Sequence, residues 1–108
     1  MKKKRILSGA QPSGLLHIGN YFGMIKRMID FQDSSDLFCF IANYHSLTSI
    51  SNKEELEKNT FNAFSDLLAL GLDSKQSTIW VQSHVPAVTE LTWILSNFTS
   101  VGLMQRST

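Results

Sequence analysis

Apolar residues fall along this chain in two forms, short unbroken runs and longer stretches with helical spacing. Arg5-Ile6-Leu7-Ser8 reads as a brief first strand closed by Gly9. Ile18, Tyr21, Phe22, Ile25, Met28 and Ile29 then recur at helical spacing, which predicts a helix from about His17 to Phe31 with Lys26, Arg27 and Asp30 on its wet side. Gly23 costs such a helix about 1 kcal/mol against Ala, so it is expected to permit close packing or ligand approach. Gln32-Asp33-Ser34-Ser35-Asp36 reads as a polar turn.

Leu37-Phe38-Cys39-Phe40-Ile41-Ala42 is apolar without alternation, the pattern of a strand covered on both faces in a parallel sheet. Ser51 and Glu54 form a capping box that opens a second helix. Its apolar side carries Leu56, Ala63, Phe64, Leu67, Leu68 and Leu70, and Gly71 ends it as the C′ residue. Thr78-Ile79-Trp80-Val81-Gln82 suits a third strand, Ser83-His84-Val85-Pro86 turns the chain, and Pro86 fits the first turn of a third helix. Leu91, Ile94, Leu95 and Phe98 are expected to form the buried stripe of that helix, and the last segment, Val101 to Thr108, is too short to classify.

Strand and helix alternate three times in this reading. The expected fold is therefore α/β, a three-layer Rossmann-like parallel sheet with right-handed crossovers and helices on both faces. Ligands of such sheets collect at the carboxyl ends of the strands, so Asn43-Tyr44-His45-Ser46 is expected to border the same crevice as the loop after the first strand.

Length and charge narrow the picture further. A chain of 108 residues with 43 % apolar content fits one small domain with one core. A net charge of +1 supplies no broad field for nucleic acid or membrane. Lys2, Lys3, Lys4 and Arg5 read as a solvated lead-in to the first strand. No apolar run reaches the roughly 20 residues a membrane span needs, the start lacks a signal-peptide core, and a cytoplasmic location is expected. Cys39, the only cysteine, excludes an internal disulfide and a zinc ligand set and is read as core. Trp80, Trp93 and the seven Phe are read as core as well, and His84 as part of a turn.

The chemistry concentrates between Arg5 and Gly23, where an apolar run, a glycine-rich turn and a histidine opening a helix follow one another. A helix start offers unpaired N–H groups and the positive end of the dipole, which suits an anion such as a polyphosphate. Gly9, Gly14 and Gly19 allow sharp turning and close approach, and Pro12 stiffens the turn. Gly9-x-x-x-x-Gly14 imitates a P-loop, but Leu15-Leu16 stand where that loop needs Lys and Ser or Thr, and the dinucleotide Gly-x-Gly-x-x-Gly pattern is absent. The loop is left to work through the side chains of His17 and Asn20.

Pro12-Ser13-Gly14 followed by His17-Ile18-Gly19-Asn20 resembles the first signature of class I aminoacyl-tRNA synthetases, whose general form is His-Ile-Gly-His. With Ser8-Gly9-Ala10-Gln11 ahead of it, the Asn20 variant is similar to the tryptophanyl-tRNA synthetases in particular. The resemblance implies ATP-dependent activation of L-tryptophan to tryptophanyl-adenylate and transfer to tRNA(Trp), by a homodimer, with Mg²⁺ accompanying the pyrophosphate. It implies catalytic roles for His17 and Asn20 as hydrogen-bond donors to the phosphates. Gln11, Pro12 and Ser13 correspond to the ATP-contacting turn, and Gly19 leaves room for adenosine. Leu7 and His45 are implied for the amino-acid pocket, His45 beside the indole, with a satisfied structural histidine as the competing reading of His45. No carboxylate can be named as a ligand of Mg²⁺.

By the same resemblance residues 1–108 correspond to the amino-terminal half of the catalytic domain. The Lys-Met-Ser-Lys-Ser signature, the second half of the nucleotide-binding fold and the anticodon-binding region have no counterpart here. Gly102-Leu103-Met104-Gln105-Arg106-Ser107-Thr108 resembles a Gly-Glu-Leu-x-Arg-Met-Thr segment of the family, with Leu103 and Ser107 departing from it. The alternatives are a tyrosine-specific or other class I adenylate-forming ligase, or a noncatalytic nucleotide-binding module.

Overall fold

A computed structural model of the chain describes residues 3–107; Lys2 of the basic cluster and Thr108 of the last segment lie outside the described residues. Strand β1 (Arg5–Ala10) is followed by a continuous helical stretch made of α1 (Ile18–Asn20), a π-helical turn (Tyr21–Ile25) and α2 (Lys26–Ser34). Then come β2 (Asp36–Ile41), α3 (Asn43–Ser46), α4 (Lys53–Ala69), β3 (Thr78–Val81), a 3₁₀ turn (Gln82–His84), α5 (Ala87–Ser96) and α6 (Val101–Gln105). The strands form a parallel sheet in the order β1-β2-β3, the α/β, Rossmann-like arrangement that the alternation predicts.

That order decides where the helices sit. Two right-handed crossovers stepping the same way along a sheet lie on the same face. Ile25 and Met28 from the first helical stretch and Ala63 and Leu67 from α4 accordingly share one core with Ala10, Leu37, Cys39 and Ile41. Along β2 every second residue is fully buried, so alternation appears in the structure although the apolar sequence hides it. Phe38 and Phe40 point the other way and are half-buried. They meet Trp80, which stacks on Phe40 at 5.5 Å and lies edge-on to Phe38 at 6.3 Å. Neither α5 nor α6 contains a buried residue.

Several boundaries and faces differ from expectation for identifiable reasons. β1 runs through Gly9 to Ala10, because Gly9 pairs with Phe40 and its missing Cβ leaves room for the Phe40 ring, whose Cζ would lie 2.6 Å from such an atom. Gln32, Asp33 and Ser34 continue α2 instead of turning. Gln32 is buried there; its Nε2 donates to the Gly71 carbonyl at 3.0 Å and its Oε1 accepts from the Asp73 N–H at 2.9 Å, tying the end of α2 to the α4–β3 connection. The cap of α4 is Asn52, not Ser51: its Oδ1 accepts from the Glu55 N–H at 2.9 Å, one residue later than the expected box. Asn43-Tyr44-His45-Ser46 forms a short helix, and Gln82 opens the 3₁₀ turn instead of ending β3.

The end of α4 agrees with the reading. Gly71 takes φ +116°, its N–H donates to the Leu68 carbonyl and the Leu72 N–H to the Leu67 carbonyl, the two bonds of a Schellman motif. Leu72 then packs with Leu67 in the core. In contrast, Leu91, Ile94, Leu95 and Phe98 are exposed rather than buried, Phe98 at 85 %. Trp93, at 73 %, and Phe61, at 72 %, are likewise not core. Helical spacing reports that one side of a helix is apolar, not that anything covers it.

Cys39 lies fully buried with its Sγ 3.4 Å from Met28 Sδ, and burial pushes its thiol up from 9.0 to about 11. A folded value raised above the unfolded one means that the native state holds the proton longer, so stability is complete below pH 9 and falls as pH rises toward 11. The stability advantage of the wild type over Cys39→Ala is expected to shrink by on the order of 2–3 kcal/mol across that window, read from urea melts at stepped pH.

Candidate functional site

The strands end level with one another, since Ala10 pairs with Ile41 and Ile41 with Val81. The Ala42 N–H adds one more bond to the Ala10 carbonyl at 2.8 Å. The glycine loop, α3 and the 3₁₀ turn therefore leave the sheet along one edge, as the carboxyl-end rule requires.

In the loop, the Ser13 N–H donates to the Gln11 carbonyl at 3.0 Å, which wraps a tight turn around Pro12. Pro12 is fully buried and anchors the turn, while Ser13 is exposed. Gly14 follows with φ +143°, and a Cβ there would meet nothing within 4 Å, so the backbone conformation and not space demands glycine.

His17 caps the helix from an extended backbone, φ −123° and ψ 171°. Its Nδ1 accepts from the Gly19 N–H at 3.2 Å, and Asn20 Oδ1 accepts from the His17 N–H at 2.9 Å, a reciprocal pair of capping-box form. These bonds assign the outward atoms. An Nδ1 that accepts leaves the neutral ring protonated at Nε2, and an amide whose oxygen is engaged turns its NH₂ outward. Two side-chain donors thus stand beside the Ile18 N–H at a helix start, with His17 exposed. The bare Cα of Gly19 makes this possible: a Cβ there would lie 3.0 Å from His17 Cε1 and Nδ1.

The helix widens directly afterwards, the Lys26 N–H reaching the Tyr21 carbonyl. This π turn shifts the phase of the apolar stripe. Tyr21, Ile25 and Met28 face the core, whereas Ile18 and Phe22 are exposed, contrary to the stripe expected of a regular helix. Gly23 lies in the turn with nothing within 4 Å of its Cβ position, so close packing is not what glycine permits there. It borders a cavity of about 250 Å³ with Leu7, Ser8 and Arg27. Another cavity, of about 370 Å³, runs from Leu16 and His17 past Phe22 to Leu70.

Of the two residues expected in the amino-acid pocket, Leu7 is 65 % exposed at the cavity beside Gly23, and His45 is exposed on α3. They share no described cavity. His84 sits in the 3₁₀ turn, as expected. One pair escaped the reading of the residues: Asn43 Nδ2 donates to Ser83 Oγ at 2.8 Å and the Ser83 N–H donates to Asn43 Oδ1 at 3.1 Å. Its only trace in the sequence is that both residues follow strand ends. Among the described residues no three of His, Cys, Asp and Glu gather to hold a metal ion.

Comparison with known proteins bears on this site as a whole. The family described as tRNA synthetases class I (W and Y) matches residues 1–108. The chain belongs to this family. A tryptophan–tRNA ligase of Fusobacterium nucleatum is 62 % identical over 103 residues, covering 95 % of the chain and 32 % of that protein. Tryptophanyl-tRNA synthetase of Campylobacter jejuni superimposes with a TM-score of 0.90 at 52 % identity, over 97 % of this chain and 33 % of that one. The Campylobacter enzyme solved with ADP and tryptophan gives 0.89 at 54 % identity, over 94 % and 32 %. The chain thus spans about a third of the length of these class I relatives.

The geometry of the helix start has a direct test. Imidazole ¹⁵N shifts are expected to report His17 in the Nε2–H tautomer, and Gly19→Ala, by crowding the ring, to replace it with a tautomer mixture.

Proposed function

We propose that this chain forms part of an enzyme that activates L-tryptophan with ATP and transfers it to tRNA(Trp). The reading rests above all on the reciprocal His17–Asn20 cap, which aims Nε2–H and Nδ2–H donors outward from a helix start. The Campylobacter relative bound to ADP and tryptophan supports the choice of ligands. Residues 1–108 correspond, on this reading, to the amino-terminal half of the Rossmann-like catalytic domain.

In the reaction the tryptophan carboxylate attacks the α-phosphorus of ATP, and the bond to the bridging oxygen of pyrophosphate breaks. Charge grows on the phosphate oxygens as the leaving group departs. Fixed donors at that place stabilise the transition state without reorganising, and the positive end of the helix dipole adds to them. His17 and Asn20 are the donors; Gln11, Pro12 and Ser13 form the turn along which ATP lies, and Gly19 keeps the approach to adenosine open. Leu7 and His45 belong to the amino-acid side. Mg²⁺ would supply neutralisation of phosphate charge with the bound nucleotide, and the contribution assigned to this chain is made by N–H groups.

The enzyme is read as a cytoplasmic homodimer. No helix among the described residues is long and apolar enough to cross a membrane. Exposed Leu91, Trp93, Ile94, Phe98, Val101 and Met104 give α5 and α6 apolar surface of the kind that favours a protein partner.

Two measurements on the full-length protein test this. Pyrophosphate exchange is expected with tryptophan and not with tyrosine, and His17→Ala is expected to slow it about 10²–10³-fold, the usual cost of one transition-state donor; exchange with tyrosine alone, or unaltered rates in the variant, contradicts the assignment. Trp93→Glu with Phe98→Glu is expected to convert a dimer to monomer in sedimentation velocity.

A further inference from the structure

The Asn43–Ser83 pair has no part in the chemistry described so far. It occupies the point where β2 and β3 have just stopped pairing, the last paired residues being Ile41 and Val81. That junction needs a tie. β3 is an edge strand of four residues, and α3 has four residues, too few to hold a helix without tertiary support. α3 also starts from Ala42, which has no capping side chain. Asn43, its first residue, supplies the missing connection by continuing the β2–β3 pairing with side-chain atoms: one donated bond, one accepted bond, both part-buried. Ser46, at the other end of α3, is fully buried, and the Thr48 hydroxyl donates to the His45 carbonyl at 2.8 Å. The helix is therefore fastened on both sides of His45, whose own side chain is left exposed.

We propose that Asn43 is a positioning residue for tryptophan: by locking to Ser83 it sets the direction of α3 and so the place of the His45 imidazole at the sheet's carboxyl edge. The proposal rests on the assignment of His45 to the amino-acid pocket. On this assignment Asn43 acts through His45 and not by a contact of its own.

Steady-state pyrophosphate exchange on the full-length protein, with tryptophan and ATP varied separately, tests it. Asn43→Ala loses two hydrogen bonds and is expected to raise the tryptophan KM about tenfold while the ATP KM stays within about twofold. Ser83→Ala keeps the backbone N–H bond and is expected to raise the tryptophan KM about threefold, a milder variant should Asn43→Ala not fold. Asn43→Asp is expected to restore the tryptophan KM, because a carboxylate accepts from both the Ser83 N–H and its hydroxyl. If Asn43 acts through His45, the Asn43→Ala/His45→Ala double variant is no worse than His45→Ala alone. Equal rises in both KM values, failure of Asn43→Asp to rescue, or additive effects in the double variant overturn the proposal. An unchanged tryptophan KM in His45→Ala overturns the pocket assignment and this proposal with it; a raised one there beside an unchanged one in Asn43→Ala overturns this proposal alone.

Discussion

Burial of the inward side of β2 is the constraint from which the rest of the arrangement follows. Leu37, Cys39 and Ile41 are excluded from water between the neighbouring strands and the helices above them. A one-residue slip would turn Phe38 and Phe40 inward and send these three outward, so the core sets the register on both sides of the central strand. With the register set, Ala10, Ile41 and Val81 end level, and three connections of different chemistry emerge side by side. One is the Pro12 turn and its helix cap, another is α3 with His45, and the third is the 3₁₀ turn with Ser83.

The helix start shows how two side chains can serve the backbone with one atom and turn another outward. A helix must satisfy or solvate its first N–H groups. Here His17 Nδ1 accepts from the Gly19 N–H and Asn20 Oδ1 accepts from the His17 N–H. Each side chain has a second, opposite functional group, and using the acceptor inward commits the donor outward. Gly19 is part of the same device, since its missing side chain is what lets the imidazole fold back over the first turn. The π turn that follows changes the helix phase, so that Tyr21 and Ile25 pack inward while Gly23 remains open beside Leu7.

The apolar surface outside the core is distributed unevenly. Helices α2 and α4 cover one side of the sheet, whereas Phe38, Phe40 and Trp80 occupy the other, Trp80 in ring contact with both Phe residues and the Arg5 guanidinium 5.0 Å over the Phe38 ring. Helices α5 and α6 carry exposed Trp93, Phe98 and Val101. A surface of this composition is costly in water and gains free energy when another protein surface removes it. The chain spans about a third of its relatives' length.

The amino-acid sequence by itself determined the alternation of three strands with three helices, the parallel α/β class, the C′ glycine that ends α4 at Gly71 and the helix start at His17, but not α3, α6 or the π turn. Each is encoded locally, by periodicity, by a glycine with positive φ, or by cap residues a few positions apart. Only the tertiary structure decided which apolar faces are covered, that Gln32 is a buried clamp and not a turn residue, and that Asn43 meets Ser83 forty positions away. The physical reason is the same in each case: a side chain's residue type states what it can bond or bury, but the partner is brought by a distant strand or helix, and no local pattern records its arrival.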